Sequence, residues 1–173
     1  MTGPAVVLVG MPGSGKSAVG ALLAARWATT LVETDEIVAD ALGLALNELY
    51  AEPDGEARFR RAEQEVAIAA LAGPGVVALG SDAVESAAVR EALRGKRVIW
   101  LRASVRVATR RLGMALLGIE VLAAIRNTLD AALAQRAGWY ADVATESIDT
   151  DRLRPEAIAD LIAEGAAPCP GRP

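Results

Sequence analysis

The chain contains no histidine among its 173 residues. That removes the side chain most often used as a general base near neutral pH, and with it any Ser-His triad or histidine-held metal. Its only cysteine, Cys169, sits in Pro168-Cys169-Pro170-Gly171. No disulfide can form within the chain, and a catalytic thiol is not expected in such a stretch. No apolar run is long enough to cross a bilayer, and Met1-Thr2-Gly3-Pro4 has no signal-peptide character, so the expected location is cytoplasmic. A net charge of −4 and a pI near 5.0 give no support for a nucleic-acid or anionic-membrane surface, and neither partner is expected. What remains is carboxylate acid–base chemistry and an oxygen-ligated metal such as Mg²⁺.

The residues that are present favour a layered α/β domain. Apolar side chains make up 53% of the chain and aromatic ones only 3%, which suits helices packed closely on a parallel sheet. The expected organisation is one domain over residues 1–165 and a disordered tail, 166–173. Near the start, Gly10-Met11-Pro12-Gly13-Ser14-Gly15-Lys16-Ser17 follows the apolar run Ala5-Val6-Val7-Leu8-Val9. It precedes the helical pattern Ala18-Val19-Gly20-Ala21-Leu22-Leu23-Ala24-Ala25. A Gly-x-x-x-x-Gly-Lys-Ser spacing between strand and helix is that of a phosphate-binding loop. Gly13 and Gly15 permit backbone angles that turn successive N–H groups around an anion. The helix behind them adds its unpaired N–H groups and positive dipole end. Lys16 is placed to reach the β- and γ-phosphates of ATP, and the Ser17 hydroxyl to ligate Mg²⁺. The candidate nucleotide-binding run is Gly13, Ser14, Gly15, Lys16, Ser17 and Ala18.

Further along, Leu31-Val32-Glu33 reads as a second strand running into a helix that starts at Thr34-Asp35-Glu36. Asp35 is either a helix-capping acid or a group at the ligand-binding end of a parallel sheet. A short helix is expected over 44–52, broken by Pro53-Asp54-Gly55. A long one follows from Glu56 to Leu71, burying Phe59, Ala62, Val66, Ala69 and Ala70. Arg58, Arg60 and Arg61 oppose the dipole at its start, so they are either solvated or a fork for a substrate anion. Gly75 to Leu79 is a buried strand ending in Gly80-Ser81-Asp82. Asp82 reads as the cap of a helix beginning near Glu85, with support of Mg²⁺ through water as the alternative. Arg97 to Leu101 is a strand, and Ser104 caps the next helix. Residues 115–137 form a helix whose Gly118, Leu122, Ile125, Leu129 and Leu133 make a buried or partner-facing stripe. Arg136 lies at its end. Glu146 to Asp149 is the last strand, and Pro155 opens the last helix.

Together these residues resemble shikimate kinase, of the nucleoside-monophosphate-kinase-like group of phosphate-loop proteins. The anchors are Gly10 to Ser17, Glu33-Thr34-Asp35, Asp54-Gly55-Glu56 with Phe59-Arg60-Arg61-Ala62-Glu63, Leu79-Gly80, and Gln135-Arg136 with Tyr140. The resemblance implies a five-stranded parallel sheet of order 2-3-1-4-5, flanked by helices. It implies transfer of the ATP γ-phosphate to the 3-hydroxyl of shikimate. By position, Asp35 would take or orient the acceptor proton, Arg60 and Arg136 would hold the shikimate carboxylate, and Gly80 would lie against the ring. Ser17 and Glu33 would serve Mg²⁺, with Glu33 standing where the family usually has aspartate.

The chain also departs from the family pattern. Gly80-Ser81-Asp82 replaces three glycines and brings a negative charge toward an anionic substrate. The lid stretch Leu112 to Gly118 has no arginine, so Arg110, Arg111 or Arg126 would have to substitute, and Arg111 joins the nucleotide-binding set. The arginine usually found over the adenine falls at Leu153. Two other readings accompany the shikimate kinase one. The first is a kinase of another small hydroxylated metabolite. The second is a catalytically impaired nucleotide-binding paralogue that presents 112–133 to a partner, as a monomer or a dimer through that segment.

Overall fold

The computed structural model describes residues 3–43 and 53–165. The helix expected over 44–52 and the tail, 166–173, lie outside the described residues. Five parallel strands form one sheet: β1 (Val6–Val9), β2 (Leu31–Glu33), β3 (Val76–Ala78), β4 (Val98–Arg102) and β5 (Glu146–Asp149). Their spatial order is β2-β3-β1-β4-β5, as the resemblance implied. β1 is central, with Val7 facing Val77 on one side and Val98 on the other. Every β1 residue is buried, because a parallel sheet covered on both faces leaves no polar side to its middle strand.

The side-chain period of two splits that strand between two cores. Val6 and Leu8 join Val76, Ile99 and Leu101 against α1 (Lys16–Arg26) and α7 (Pro155–Glu164), through Val19, Leu23, Ile158 and Ile162. Val7 and Val9 join Val77 and Leu79 on the other face. There they meet α3 (Gly55–Ala72), α4 (Ala87–Leu93) and α6 (Ile119–Val143). Helix α2 (Thr34–Leu42) packs on α3, and α5 (Val105–Arg111) follows β4, capped by Ser104 as expected. At Gly20 a Cβ would lie 2.7 Å from Leu31 Cδ1, so the absent side chain lets α1 sit directly on β2.

Three expectations are corrected. The fully buried side of α3 is Gly55, Glu63, Ala67 and Leu71; of the residues expected there, Phe59, Ala62, Val66 and Ala70 are half-buried and Ala69 is exposed. The helix starts one residue earlier than expected, and its inward row is a single i, i+4 series that includes a carboxylate. The 115–137 helix begins at Ile119, after a 3-10 turn at Met114–Leu116, and runs through Gly138 to Val143. Gly138 costs only about 1 kcal/mol in a helix. Against that, buried Tyr140 stacks on Trp100 at 5.7 Å and donates its hydroxyl to the Ser81 carbonyl at 2.7 Å. The helical stripe turns inward only in part: Leu129 and Leu133 pack on Met11, Ala103, Val105 and Ala108, whereas Gly118 is exposed. The third correction concerns Asp82 and belongs to the site. Among the described residues, no helix is long and apolar enough to cross a membrane.

Candidate active site

The carboxyl ends of the strands carry the candidate groups, as open parallel sheets dictate. The loop after β1 turns on Gly13 and Gly15, whose φ values are +76° and +102°. A Cβ at Gly13 would lie 2.6 Å from the Ala108 carbonyl, so α5 presses on the loop from outside. Helix α1 starts at Lys16 with no side-chain cap, leaving its first N–H groups directed at the loop. Lys16 Nζ donates to the carbonyls of Gly10 at 2.8 Å and Met11 at 3.2 Å, and to Ser81 Oγ at 3.2 Å. Withdrawal of this ammonium from water lowers its pKa to about 8, against the opposing pull of Asp35, Glu33 and Asp82. Ser14 Oγ is buried in the loop and has no hydrogen-bond partner in the protein. An orphaned hydroxyl inside a ring of N–H groups is the kind of feature an oxyanion resolves.

A cavity of about 500 Å³ opens over this loop, lined by residues from Gly13 to Val19 together with Arg111, Leu112, Leu153, Pro155 and Ile158. Ala18 is exposed on its floor, and the apolar wall includes Leu153, where the family's adenine-facing arginine would fall. Arg111 donates to the Thr150 carbonyl at 2.5 Å and its hydroxyl at 2.9 Å, and to the carbonyls of Gly13 and Ser14 at 3.4 Å. It ties the loop to the end of β5. Arg126 reaches Thr109 Oγ1 at 3.4 Å, and Arg110 is exposed.

Ser17 Oγ donates to Glu33 Oε2 at 2.7 Å. Glu33, at the end of β2, therefore has the length to meet the hydroxyl on the first turn of α1. The pair is an all-oxygen donor set of the kind Mg²⁺ takes, with phosphates and water completing the shell. Among the described residues, no cluster of three or more acidic, histidine or cysteine side chains could hold a metal unaided.

Beside the loop lies a second cavity of about 250 Å³, lined by Pro12, Asp35, Ala39, Phe59, Glu63, Ser81 and Asp82. Asp35 projects into it from the first turn of α2. Partial burial raises its pKa and Lys16 lowers it, while Asp82 and Glu33 raise it. Gly80 lies against the Asp35 carboxylate: a Cβ there would collide with Asp35 Oδ1 and lie 3.3 Å from Glu63 Oε1. The Gly80 N–H donates to Thr34 Oγ1 at 2.8 Å, which fixes the end of β3 against α2.

Asp82 does not cap the following helical turn; it makes no such hydrogen bond, and Ser86 caps α4 instead. Its carboxylate is pulled away by two guanidinium groups. Arg136 Nη1 donates to Asp82 Oδ1 at 2.7 Å, and Arg60 Nη1 to Asp82 Oδ2 at 3.2 Å. Glu85 bridges the same arginines, with Oε1 2.7 Å from Arg136 Nε and Oε2 3.7 Å from Arg60 Nη2. Sequence reading missed Glu85, although its three-residue offset from Asp82 was a signal. It also missed any role for Glu63, quoted only as part of a run. Glu63 is buried at the foot of Arg60, 3.2 Å from its Nη1.

Burial, followed by the Asp82 charge, raises the Glu63 pKa to about 7 despite Arg60. The folded state then holds a proton that the unfolded chain releases between about pH 4.5 and 7. The stabilisation from this group is complete below that window and lost as pH rises through 7. Glu63→Gln is expected to raise Tm at pH 8 by about 2–4 °C. The gain should shrink by pH 5, where the native carboxyl is already neutral. Thermal unfolding at the two pH values checks this; a gain independent of pH would refute it.

A larger cavity, about 800 Å³, opens at the opposite, amino ends of β4 and β5, beside Arg97 and Glu146, which already pair with one another at 2.8 Å. The phosphate loop and the other loops at the carboxyl ends of the strands do not line it.

Comparison with known proteins agrees with this geometry. The family model described as shikimate kinase matches residues 12–166. The chain is 42% identical over 164 residues to a shikimate kinase of Frankia casuarinae, covering 94% of this chain and 72% of that protein. It is 38% identical over 162 residues to a shikimate kinase of Thermobifida fusca, covering 93% and 94%. Among solved structures, the shikimate kinase from Acinetobacter baumannii in complex with shikimate superposes with a TM-score of 0.78 at 26% identity, covering 95% of this chain and 92% of that one. With the loop after β1, the sheet order and these matches in agreement, the chain belongs to the shikimate kinase family.

Proposed function

We propose that the chain transfers the γ-phosphate of ATP to the 3-hydroxyl of shikimate. The observation that carries this reading is a shared wall. Ser81, which lines the smaller cavity, touches Lys16 of the phosphate loop at 3.2 Å. A triphosphate held by the loop would end beside the cavity that contains Asp35.

In this reading Gly13 to Ala18 wrap the phosphates, and Lys16 leaves its backbone carbonyls to neutralise charge on the γ-phosphoryl group. Arg111 buttresses the loop and borders the nucleotide. Ser17 and Glu33 would hold Mg²⁺, which supplies charge neutralisation on the phosphates when bound. Asp35 accepts the proton of the acceptor hydroxyl. That oxygen forms a bond to γ-phosphorus as the bond to the ADP oxygen breaks. Arg60 and Arg136 take the acceptor carboxylate, and Gly80 would lie against the ring through its backbone, its missing side chain leaving room for the Asp35 carboxylate.

A second reading keeps nucleotide binding without turnover. It is favoured by the lid stretch, which lacks arginine and exposes Leu116 at 96%, with Ile119 at the start of α6 exposed at 89%. A coupled ADP-release assay with shikimate, ATP and Mg²⁺ decides between them. Shikimate-dependent ADP release with a phosphorylated product supports transfer. Tight ATP binding without shikimate-dependent release supports the second reading.

A further inference from the structure

The arginines that a substrate carboxylate would need are already bridged by a carboxylate of the chain itself. Asp82 gives one oxygen to each guanidinium, as a bound carboxylic acid would, and Glu85 closes the ring from behind. The smaller cavity shows the consequence. Asp35, Glu63 and Asp82 line it, whereas Arg60 and Arg136 are not part of its wall. An anionic acceptor therefore meets three carboxyl groups before it meets either arginine.

From this geometry we infer that Asp82 is a built-in competitor for the acceptor's carboxylate, and so the residue that sets acceptor specificity. The inference rests on the kinase reading above and deepens it. A carboxylate-bearing ring binds only by displacing Asp82 from Arg60 and Arg136, and the displaced charge must then return to water or pair elsewhere. A neutral polyhydroxylated ring leaves the bridge intact and can use Asp82 as a hydroxyl acceptor. The chain thereby narrows the advantage that two arginines would otherwise give to an acid. Glu85 does not have this effect, because it lies outside the cavity and leaves one side of each fork available.

The test is calorimetric titration of the wild type, Asp82→Asn and Asp82→Gly with shikimate and, separately, with its uncharged methyl ester, in the presence of a non-hydrolysable ATP analogue and Mg²⁺. Both variants are expected to bind shikimate about tenfold more tightly than the wild type. Their affinity for the ester should stay the same or fall, and their affinity for the nucleotide should not change. Asparagine keeps the shape of the side chain, so it separates loss of charge from any slackening of the Gly80 loop. Equal shikimate affinity in wild type and Asp82→Asn, including no binding by either, overturns the inference. So does a gain of equal size for the ester. Tighter binding by the variants alongside a wild type that releases no ADP would instead sustain the inference and remove the proposed activity.

Discussion

Lys16→Met should lower kcat by about a thousandfold while leaving the protein folded. A single preorganised donor at a developing charge commonly contributes that much, and Lys16 brings a full charge. The structure holds this ammonium in place before any phosphate arrives, on two carbonyls of its own loop and on Ser81. Phosphate oxygens would replace those acceptors with charged ones. The free protein carries a cost for this arrangement, since burial lowers the lysine pKa to about 8. A group with its folded pKa below the unfolded value opposes folding while it is charged, and that penalty is relieved only as pH rises from 8 toward 10.5. Removing the charge at pH 7 should therefore not lower Tm, so lost turnover with unchanged Tm separates this role from misfolding. The same pKa makes ATP binding take up a proton above pH 8, and ATP affinity should weaken about tenfold per pH unit there. Stopped turnover and proton uptake in buffers of different ionisation enthalpy check the two halves. A variant retaining a tenth of wild-type kcat would remove Lys16 from the chemistry.

Much of this was legible in the sequence because it depends on local signals. The Gly13 and Gly15 turn, the strand before it and the helix after it all follow from residue type and spacing, as does the Ser104 cap. The sheet order came from the resemblance, and the burial of every β1 residue fits its central place in that order. The failures share a cause: they depend on contacts between segments far apart in the chain. Asp82 read as a cap because the sequence places a helix start near Glu85, three residues on. Arg60 and Arg136, 22 and 54 positions away, outcompete a backbone N–H for its carboxylate. Glu63 was invisible as a buried acid because an i, i+4 row is expected to be apolar, and only Arg60 with the Gly80 approach makes the exception tolerable. The end of α6 was misplaced because Gly138 looks like a terminator. What carries the helix past it is the Tyr140 hydroxyl on a loop 59 residues earlier.

Asp35→Asn tests the other half of the mechanism. General-base assistance by a positioned carboxylate contributes about 10²–10⁴-fold, and kcat should fall within that range. The amide keeps the shape and can still accept a hydrogen bond through its oxygen, so KM for shikimate should change far less than kcat. Sign and pH dependence follow from the surroundings. Burial and the Asp82 and Glu33 charges raise the Asp35 pKa, with Lys16 pulling the other way. The wild type should therefore lose kcat on an acid limb placed above the ordinary aspartate range, and the variant should lack that limb. Gly80→Ala gives an independent reading of the same position. Its methyl group would collide with Asp35 Oδ1, in a loop held by the Thr34 hydroxyl and by Tyr140 through the Ser81 carbonyl. The carboxylate must then move, and a displacement of about 1 Å can cost about a hundredfold in rate. If Asp35→Asn keeps its acid limb and Gly80→Ala keeps its rate, the base lies elsewhere. The remaining carboxyl group against Gly80 is Glu63, whose pKa of about 7 would place the limb higher still.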